Sequence, residues 1–535
     1  MTALRDRETR LALAAILLVA VALRLYGLDW DAGQHTHPDE RWIAMVAPTI
    51  TWPKDVADVL DPRRSTLNPL WVPDGQGGGN PRNFAYGHLP LYLHSLVGHA
   101  LGAVGKWLAG RGPEYQGLAH EFRTYGEYGA INVVGRALSV LADVGTIYLV
   151  SLLGRRIYDR RVALLGSALV ALAVTHVQLA HFAAFDVVTT FFITLSVYGS
   201  VCVVQARGTG LWPTIWAGAA AGMAVASKFS AAPLVAVLVL AQLLRAARQV
   251  EEGARHPALA VLNRAWASIL LSLVVAALAF FLTSPFAILD WRLYLKQIVE
   301  QGDMVRGTSD LPYTRQYRNT TPFLYQIAQQ VRWGLGWPLG LTAFVGFGWT
   351  LLQNLWFLYA QAEASQLRWL GQEPAARFRR PRAEELVLLG WAVPYFFLTG
   401  TFMVKFMRYM LPLLPLFILM GANLLVRVGE WANGQMGKWA NGQMGKWANG
   451  QIGKWQIGKW QIGKWTNGQV ANHELANGQE GEPTDLAHGT RNMQYATSRS
   501  IPSTEGRNIA KHPEYRGTQY ATRSTICYPP FPTSS

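Results

Sequence analysis

The stretch from Leu11 to Leu28, LALAAILLVAVALRLYGL, decides the fold class. It approaches the roughly 20 apolar residues that cross a hydrocarbon core as a helix, and Arg24 is its one charged residue. About ten residues further on, the chain reads His35-Thr36-His37-Pro38-Asp39-Glu40. Because ionised side chains are costly within a bilayer, this part of the sequence predicts a membrane helix that is followed by two carboxylates at the membrane surface.

The rest of the chain repeats the apolar pattern. Of 535 residues, 50% are hydrophobic and 15% are charged. The blocks that are predicted as transmembrane helices cover approximately residues 11–28, 132–153, 162–179, 184–204, 211–227, 229–246, 266–284, 333–359, 385–402 and 407–428. The sequence therefore predicts an all-α polytopic membrane protein with about ten transmembrane helices, in a domain that covers residues 1–428.

The charges between these blocks indicate which side of the membrane each loop occupies. Cytoplasmic loops carry an excess of Lys and Arg. If the N-terminus is cytoplasmic, that side receives Arg155, Arg156, Arg160, Arg161, Arg207, Arg245, Arg248, Arg255, Arg264, Arg368, Arg377, Arg379, Arg380 and Arg382. The short loops opposite hold only Lys228, Lys405 and Arg408. We therefore expect a multi-pass cell-membrane protein with cytoplasmic termini, and we attribute the formal charge of +15 to topology rather than to nucleic-acid binding.

Two further features narrow the class. The two cysteines, Cys202 and Cys527, are far apart, which disfavours a disulfide framework and a cysteine metal site. The first apolar block follows Arg5, Arg7 and Arg10 and resembles a signal peptide. Many apolar blocks come after it, however, and no small-residue cleavage site is evident, so we interpret it as an uncleaved first helix.

Two long loops are predicted on the extracytoplasmic side. The first covers about residues 29–131 and contains an apolar piece, residues 89–99, that a proline and two histidines interrupt. We expect an interfacial helix there, because another span would invert every later loop. The second covers about residues 285–332 and mixes aromatic residues such as Tyr313 with cations. This mixture suits a lid over a sugar or a phosphate.

Acidic and basic residues from distant parts of the chain are predicted to meet at this same membrane face. They are Asp39, Glu40, Asp186, Lys228, Lys405 and Arg408. Carboxylates can deprotonate or orient a hydroxyl, while Lys and Arg can neutralise a phosphate leaving group. An acidic site beside a cationic site at the membrane surface predicts a lipid-phosphate substrate.

Six motifs follow one another in order between residues 10 and 428. They are His37-Pro38-Asp39-Glu40, Phe84-Ala85-Tyr86-Gly87-His88-Leu89-Pro90-Leu91-Tyr92, the helix from Gly135-Arg136 to Gly154-Arg155-Arg156, Asp186-Val187-Val188-Thr189-Thr190-Phe191-Phe192, Ala226-Ser227-Lys228 and Arg408-Tyr409-Met410-Leu411-Pro412. In this order they resemble the membrane-embedded glycosyltransferases of the GT-C fold, and in particular the protein O-mannosyltransferases and the lipid A aminoarabinose transferases. The resemblance implies a GT-C-like bundle with two large extracytoplasmic loops and interfacial helices.

The resemblance also implies a reaction, the transfer of a sugar from a polyprenyl-phosphate donor on the outer membrane face. Asp39 is then the first choice for the general base that activates an acceptor hydroxyl, and Glu40 orients the acceptor or the base, unless these two roles are exchanged. Arg408, with Lys228 and Lys405 behind it, stabilises the departing lipid phosphate. Direct displacement inverts the anomeric centre without a cofactor, and glycan, lipid and protein hydroxyls are all open as acceptors.

The chain departs from these families at two points. The aminoarabinose transferases carry an acid-lysine pair before the proline of the first-loop helix, where this chain has His88-Leu89. A phosphate contact from that loop therefore does not follow from the resemblance. His88, Asp186 and Tyr313 complete the substrate-binding candidates. No segment is long enough to hold the folded luminal insertion of the protein O-mannosyltransferases, so a protein acceptor does not follow from the resemblance.

Each of these interpretations has an alternative. The acidic residues can simply begin helices, and the cations can extend to lipid headgroups. The spacing of His35 and His37 leaves a divalent metal site open. A transporter or flippase for lipid-linked saccharides is the main alternative to an enzyme, although that class tends to show internal repeats and ionisable residues at mid-membrane. A noncatalytic membrane scaffold is the third alternative.

Residues 429–535 form a different kind of sequence. The octapeptide that begins at Trp431 begins again at Trp439 and Trp447, and Gln-Ile-Gly-Lys-Trp then repeats with a period of five. No helical or strand period organises the tryptophans, and the remaining sequence is polar. We therefore expect a disordered cytoplasmic tail.

Overall fold

Helices make up most of the structure, and they follow the apolar blocks of the sequence. The computed structural model describes residues 2–73, 79–82, 86–250, 256–369 and 382–446. The helices are α1 (Thr2–Leu25), α2 (Pro38–Val46), α3 (Leu89–Ala109), α4 (Gln116–Thr124), α5 (Ile131–Ile157), α6 (Arg160–Ala171), α7 (Val174–Ala180), α8 (Phe185–Gln205), α9 (Leu211–Ser227), α10 (Leu234–Ala247), α11 (Pro257–Thr283), α12 (Phe286–Leu289), α13 (Trp291–Arg306), α14 (Leu324–Gln329), α15 (Trp337–Trp369), α16 (Ala383–Thr401) and α17 (Leu414–Lys446). Every predicted membrane segment overlaps one of these helices, and the third overlaps the consecutive pair α6 and α7.

The all-α polytopic class is confirmed. Among the described residues, six helical segments are long and apolar enough to cross a membrane, namely α5, α8, Phe229–Ala247 with α10, α11, and parts of α15 and α17. α6 and α7 are bent by 55° relative to each other and make a seventh span if they are counted together. The count of about ten spans stays a prediction.

Short elements occupy the two long loops. The first loop contains α2, α3, α4 and a two-stranded antiparallel hairpin, β1 (Trp71–Pro73) and β2 (Gly79–Pro81), in which Val72 pairs with Asn80. α3 begins where the sequence predicts an interfacial helix. The second loop contains α12, α13 and α14, and a one-turn π-helix, Gln330–Gly334, precedes α15.

The last helix continues past the predicted domain boundary. α17 passes residue 428 without interruption, so the first copies of the octapeptide, from Trp431, extend this helix. The rest of the repetitive tail, residues 447–535, lies outside the described residues. The division of the chain at 428 and the disorder of the tail stay predictions.

The interior of the helical bundle is an apolar core. Val150 on α5, Val197 on α8 and Val237 on α10 are fully buried. Phe347 on α15 stacks on Phe417 on α17, with 4.2 Å between ring centroids. Because such helices meet apolar surroundings on all sides, their sequences show continuous apolar blocks rather than a single apolar stripe.

One charged cluster lies inside this apolar interior. Arg24, near the end of α1, donates through Nε to Asp143 Oδ2 at 2.6 Å, and His176 Nδ1 lies 2.6 Å from Asp143 Oδ1. None of the three side chains is more than 1% exposed. Arg24 also donates to the carbonyls of Ala20 and Ala171. The cluster therefore ties α1 to α5 and to the break between α6 and α7.

Replacing Arg24 by Met is expected to destabilise the bundle by about 3 kcal/mol, because it removes one of the two partners of a buried carboxylate. Unfolding of the purified protein in a fixed detergent mixture measures the change. Lys296→Ala is the matched control, since its pair with Glu300 is exposed and such pairs contribute about 0.5 kcal/mol or less. Equal stability of the two variants would show that the buried pair does not hold α1.

Candidate active site

Four charged side chains form a chain of ion pairs at one end of the bundle. Arg408 Nη2 lies 3.1 Å from Asp39 Oδ2, and Arg408 Nε lies 3.8 Å from Asp186 Oδ2. Lys228 Nζ donates to the other oxygen of Asp186 at 2.7 Å. The fold thus brings together four of the predicted site residues from distant positions in the chain. We refer to these four side chains as the acid–cation cluster.

Helix ends position these side chains. Asp39 is the second residue of α2, and Asp186 is the second residue of α8. The helix dipole favours a negative charge at both positions. Lys228 directly follows α9, where the dipole favours a cation, and Arg408 lies in the 3-10 turn Met407–Met410 that precedes α17. Local structure therefore favours the acids and Lys228 where they stand, independently of the ion pairs.

The acid–cation cluster is partly open. The side chains of Asp39 and Arg408 are each 19% exposed, whereas Asp186 is 5% exposed. Burial by itself would lower the pKa of Arg408, but the neighbouring Asp39 and Asp186 carboxylates outweigh it and raise the pKa above its usual value. Two carboxylates thus balance two cations, and Asp39 and Arg408 are accessible to a ligand.

Two tyrosine rings flank Lys228. The Lys228 Nζ lies 5.1 Å from the ring centroid of Tyr409 and 5.9 Å from that of Tyr86. Burial, followed by the charge of Asp39, raises the pKa of Tyr86, which therefore stays a neutral phenol. The aromatic faces attract the ammonium group and leave it able to bind an anion.

Tyr86 reaches this position because the first loop touches the end of α9. The Gly87 N–H donates to the Ser227 carbonyl at 3.2 Å. A Cβ atom on Gly87 would collide with the backbone of Ala226, so only glycine allows the two segments to approach this closely.

Glu40 lies outside the acid–cation cluster, in a buried network of its own. Its two oxygens accept hydrogen bonds from Arg136, 2.6 Å from Nε and 2.8 Å from Nη2, and neither side chain is exposed. Arg136 also lies 2.8 Å from Asp31, and the Ala183 N–H donates to Glu40. The network fastens the chain after α1, the start of α2 and the entry to α8 onto α5. It therefore determines where Asp39, the neighbour of Glu40, is held.

The two histidines before Asp39 pack against aromatic rings. His37 stacks on Phe182, with 4.4 Å between centroids, and His35 lies 4.5 Å from Tyr128. Burial lowers the pKa of His37 although Asp39 acts in the opposite direction, so this ring is neutral at pH 7. Within the described ranges, no group of three His, Cys, Asp or Glu side chains is arranged to hold a metal ion.

Tyr313 lies in the second loop, and Lys405 contacts this loop from the segment before Arg408. Lys405 is buried and donates through Nζ to Thr320 Oγ1 at 3.0 Å, which fastens this loop to the segment before Arg408. Tyr313 is half exposed in the 3-10 turn after α13. Burial raises the pKa of Tyr313, and the charge of Asp39 adds to this effect. Tyr313 is therefore within electrostatic range of the acid–cation cluster, whereas Lys405 has its own partners.

His88 lies in the first loop, directly before α3. It is fully buried, and its ring centroid is 6.1 Å from that of Tyr92 and 5.8 Å from that of Tyr294. Its backbone N–H donates to Ser284 Oγ at 3.3 Å. Burial lowers the pKa of His88 to about 3. The structure thus places His88 among α3 and α13 rather than beside Asp39 and Arg408.

The buried His88 predicts a loss of stability in acid. The pKa of His88 is about 3 in the folded chain and 6.5, the ordinary value, in the unfolded chain. Between these two pH values the unfolded state therefore binds more protons than the folded state. Stability therefore falls as the pH drops below 6.5, and His88→Phe is expected to remove up to about 1.4 kcal/mol per pH unit of this dependence. Unfolding free energies between about pH 4 and pH 6 measure the slope. His120→Phe, an exposed position on α4, is the control, and an unchanged slope in His88→Phe would contradict the assignment.

The residue that organises the site, Arg136, is missing from the sequence-based candidates. A signal for it exists, because an arginine near the start of an apolar helix needs a buried acidic partner. Tyr86 and Tyr409 are missing as well, although both lie within the six motifs. Their position beside Lys228 depends on contacts between loops, which no local pattern indicates.

The fold and the site define a class, a polytopic all-α membrane protein with paired acids and cations where several helices end. Residues 91–294 match the family model described as dolichyl-phosphate-mannose-protein mannosyltransferase. This range includes Arg136, Asp186 and Lys228, while Asp39 and Arg408 lie outside it. The resemblance to the protein O-mannosyltransferases that the sequence predicts is confirmed over this range.

Solved structures match this chain at low identity. The archaeal oligosaccharyltransferase AglB from Archaeoglobus fulgidus, in complex with an inhibitory peptide and a dolichol-phosphate, is 15% identical, with a TM-score of 0.46 over 80% of this chain and 52% of that chain. ArnT from Cupriavidus metallidurans bound to undecaprenyl phosphate is 17% identical, with a TM-score of 0.41 over 76% of this chain and 59% of that chain. This chain therefore spans little more than half the length of these proteins. No curated protein sequence matches it.

Proposed function

We propose that this chain transfers a sugar from a polyprenyl-phosphate donor to a hydroxyl acceptor at the extracytoplasmic face of the cell membrane. The observation that carries the proposal is the chain of ion pairs in which Arg408 joins Asp39 to Asp186. It combines a carboxylate that can accept a proton with a guanidinium that can bind a phosphate. The family match over residues 91–294 supports the same activity.

Asp39 is the general base in this proposal. The acceptor hydroxyl gives its proton to Asp39 while its oxygen forms a bond to the anomeric carbon. The bond from that carbon to the phosphate oxygen breaks, and its electron pair leaves with the lipid phosphate from the opposite face, so the anomeric centre inverts. Asp39 suits this role better than Glu40, because it is partly exposed whereas Arg136 occupies both oxygens of Glu40.

Arg408 and Lys228 bind the phosphate in this proposal. Each of them is paired with a carboxylate in the structure. A phosphate that enters beside them replaces a carboxylate as partner, and this exchange frees Asp39 when the donor is bound. The planar fork of Arg408 suits two phosphate oxygens, and the rings of Tyr86 and Tyr409 shield the leaving group from water.

The other predicted residues support these groups. Glu40 is a positioning residue that holds Asp39 through Arg136, and Asp186 keeps the two cations together when no donor is bound. Tyr313 belongs to a second loop that closes over the sugar.

The side of the membrane follows from the positive charges of the loops. In the described part of the chain, the short loops at the end of the bundle opposite the acid–cation cluster are rich in arginine, for example Arg155, Arg156 and Arg207, whereas the short loops at the cluster's own end hold Lys228, Lys405 and Arg408. Cytoplasmic loops attract such residues, so the cluster faces the extracytoplasmic side. A glycan, a lipid or a protein hydroxyl can serve as the acceptor there.

A transporter for lipid-linked saccharides is the second candidate, and the buried cluster of Arg24, Asp143 and His176 favours it. Ionisable residues inside a bundle frequently mark transport pathways. A transporter does not need the carboxylate of Asp39 for chemistry, so Asp39→Asn separates the two candidates.

Asp39→Asn is expected to lower sugar transfer by about 10²–10⁴-fold, because the amide cannot accept the proton of the acceptor. The purified chain is supplied with a polyprenyl-phosphate sugar and candidate acceptors, and the released polyprenyl phosphate is measured. Asp55→Asn, an exposed position in the same loop, is the matched control. Transport would survive in both variants. Undiminished transfer in Asp39→Asn and in Glu40→Gln would exclude the base assignment.

Arg408→Lys is expected to lower kcat for transfer by about 100-fold, because a single ammonium group cannot replace the bidentate fork on the leaving phosphate. Steady-state kinetics with the same donor measure the effect. Arg318→Lys serves as the control, since Arg318 also pairs with an aspartate but lies exposed in the second loop. A similar kcat in both variants would remove Arg408 from the phosphate site.

A further inference from the structure

A cavity of about 690 Å³ lies at the opposite end of the bundle from the acid–cation cluster. Its walls come from the loop before α9, the end of α10 and the start of α11. Lys228 follows the other end of α9, so this helix of 17 residues, about 25 Å long, separates the two places. The volume falls in the range of roughly 300–1,000 Å³ that is typical of ligand sites.

The walls of this cavity are cationic and polar. Arg245 and Arg264 line it together with Gln242, Gln249 and Ser268. None of the described lining residues is acidic. The cavity therefore offers two positive charges and several hydrogen-bonding groups, which is the pattern that recognises an anion.

Arg245 is the buried part of the site. Its side chain is only 7% exposed, although an arginine at the end of a membrane helix ordinarily extends to water. It donates through Nη2 to the Gly208 carbonyl, whereas its Nε has no partner within the described structure. A buried N–H without an acceptor is costly, and a bound anion would satisfy it.

The loop before α9 is shaped around this guanidinium. Gly208 and Gly210 have φ angles of +77° and +63°, which favour glycine. A Cβ atom on Gly210 would lie 2.8 Å from Arg245 Cζ. The next cation along the chain, Arg248, has a carboxylate partner in Glu384 at 3.1 Å. Among the described residues, no acidic side chain forms an ion pair with Arg245.

We propose that this cavity binds a phosphate group, with Arg245 and Arg264 as its cationic ligands. The phosphate is that of a lipid headgroup or of a free phosphate compound. Trp212 and Trp266 are exposed, and in the sequence they are close to the lining residues Thr209 and Ala265. They favour the lipid, because tryptophan is enriched at the headgroup level of membranes. The site is independent of sugar transfer, since it shares no residue with the acid–cation cluster.

Thermal unfolding of the purified full chain in a neutral detergent tests this site. The probes are dioctanoyl phosphatidic acid, the matching diacylglycerol without phosphate, and inorganic phosphate. We expect a phosphate-bearing probe to raise the unfolding midpoint and the diacylglycerol to have no effect. Arg245→Gln and Arg264→Gln are expected to weaken the apparent affinity by at least about tenfold. Arg207→Gln, an exposed arginine on the same loop, is expected to change it less than twofold.

The outcomes separate the sources of the phosphate. Protection by phosphatidic acid that inorganic phosphate does not compete away identifies a lipid headgroup, and protection by inorganic phosphate identifies a free phosphate compound. Arg264 is exposed, so its variant tests the site even where Arg245→Gln does not fold. The proposal is overturned if no phosphate probe raises the midpoint, or if Arg207→Gln weakens binding as much as Arg264→Gln.

Discussion

The buried pairing of Arg136 with Glu40 is the interaction on which the site depends. Both carboxylate oxygens are occupied, and Asp31 and a backbone N–H complete the network. Removing one partner from such a pair costs about 3–5 kcal/mol, so the chain has one strongly preferred arrangement at this point. Asp39 directly precedes Glu40 in the first turn of α2. Its carboxylate is therefore held at the end of the bundle, close to Arg408.

α5 carries two buried charged centres. Arg136 and Asp143 are seven residues apart, which is nearly two helical turns, so they lie on the same face of the helix. Arg136 fastens the first loop, and Asp143 fastens α1 through Arg24. The two centres differ in their exposure to solvent and in what they support. The first supports a partly open group of charges, whereas the second is closed off inside the apolar core.

The two ends of α9 and α10 show opposite charge arrangements. At one end Asp186 and Asp39 neutralise Lys228 and Arg408, so the phosphate that we propose there would compete with carboxylates that are already in place. At the other end, in the described part of the chain, Arg245 approaches a glycine loop and has no acidic partner. Paired cations suit a ligand that arrives and leaves during turnover, and unpaired cations suit a ligand that stays bound. This difference follows from the positions of the carboxylates rather than from the number of cations.

The sequence by itself determined the helices, because a block of apolar residues identifies a buried or membrane-spanning helix without reference to any partner. The predicted segment 211–227 coincides with α9, and 184–204 differs from α8 by one residue at each end. Topology also predicted that Asp39, Asp186, Lys228 and Arg408 share one face. Only the tertiary structure decided that Glu40 pairs with Arg136, that Lys405 fastens a loop through Thr320 and that His88 is buried between tyrosines. Hydrophobic pattern is a local property of the chain, whereas the choice of partner for a charged side chain depends on which loops pack together.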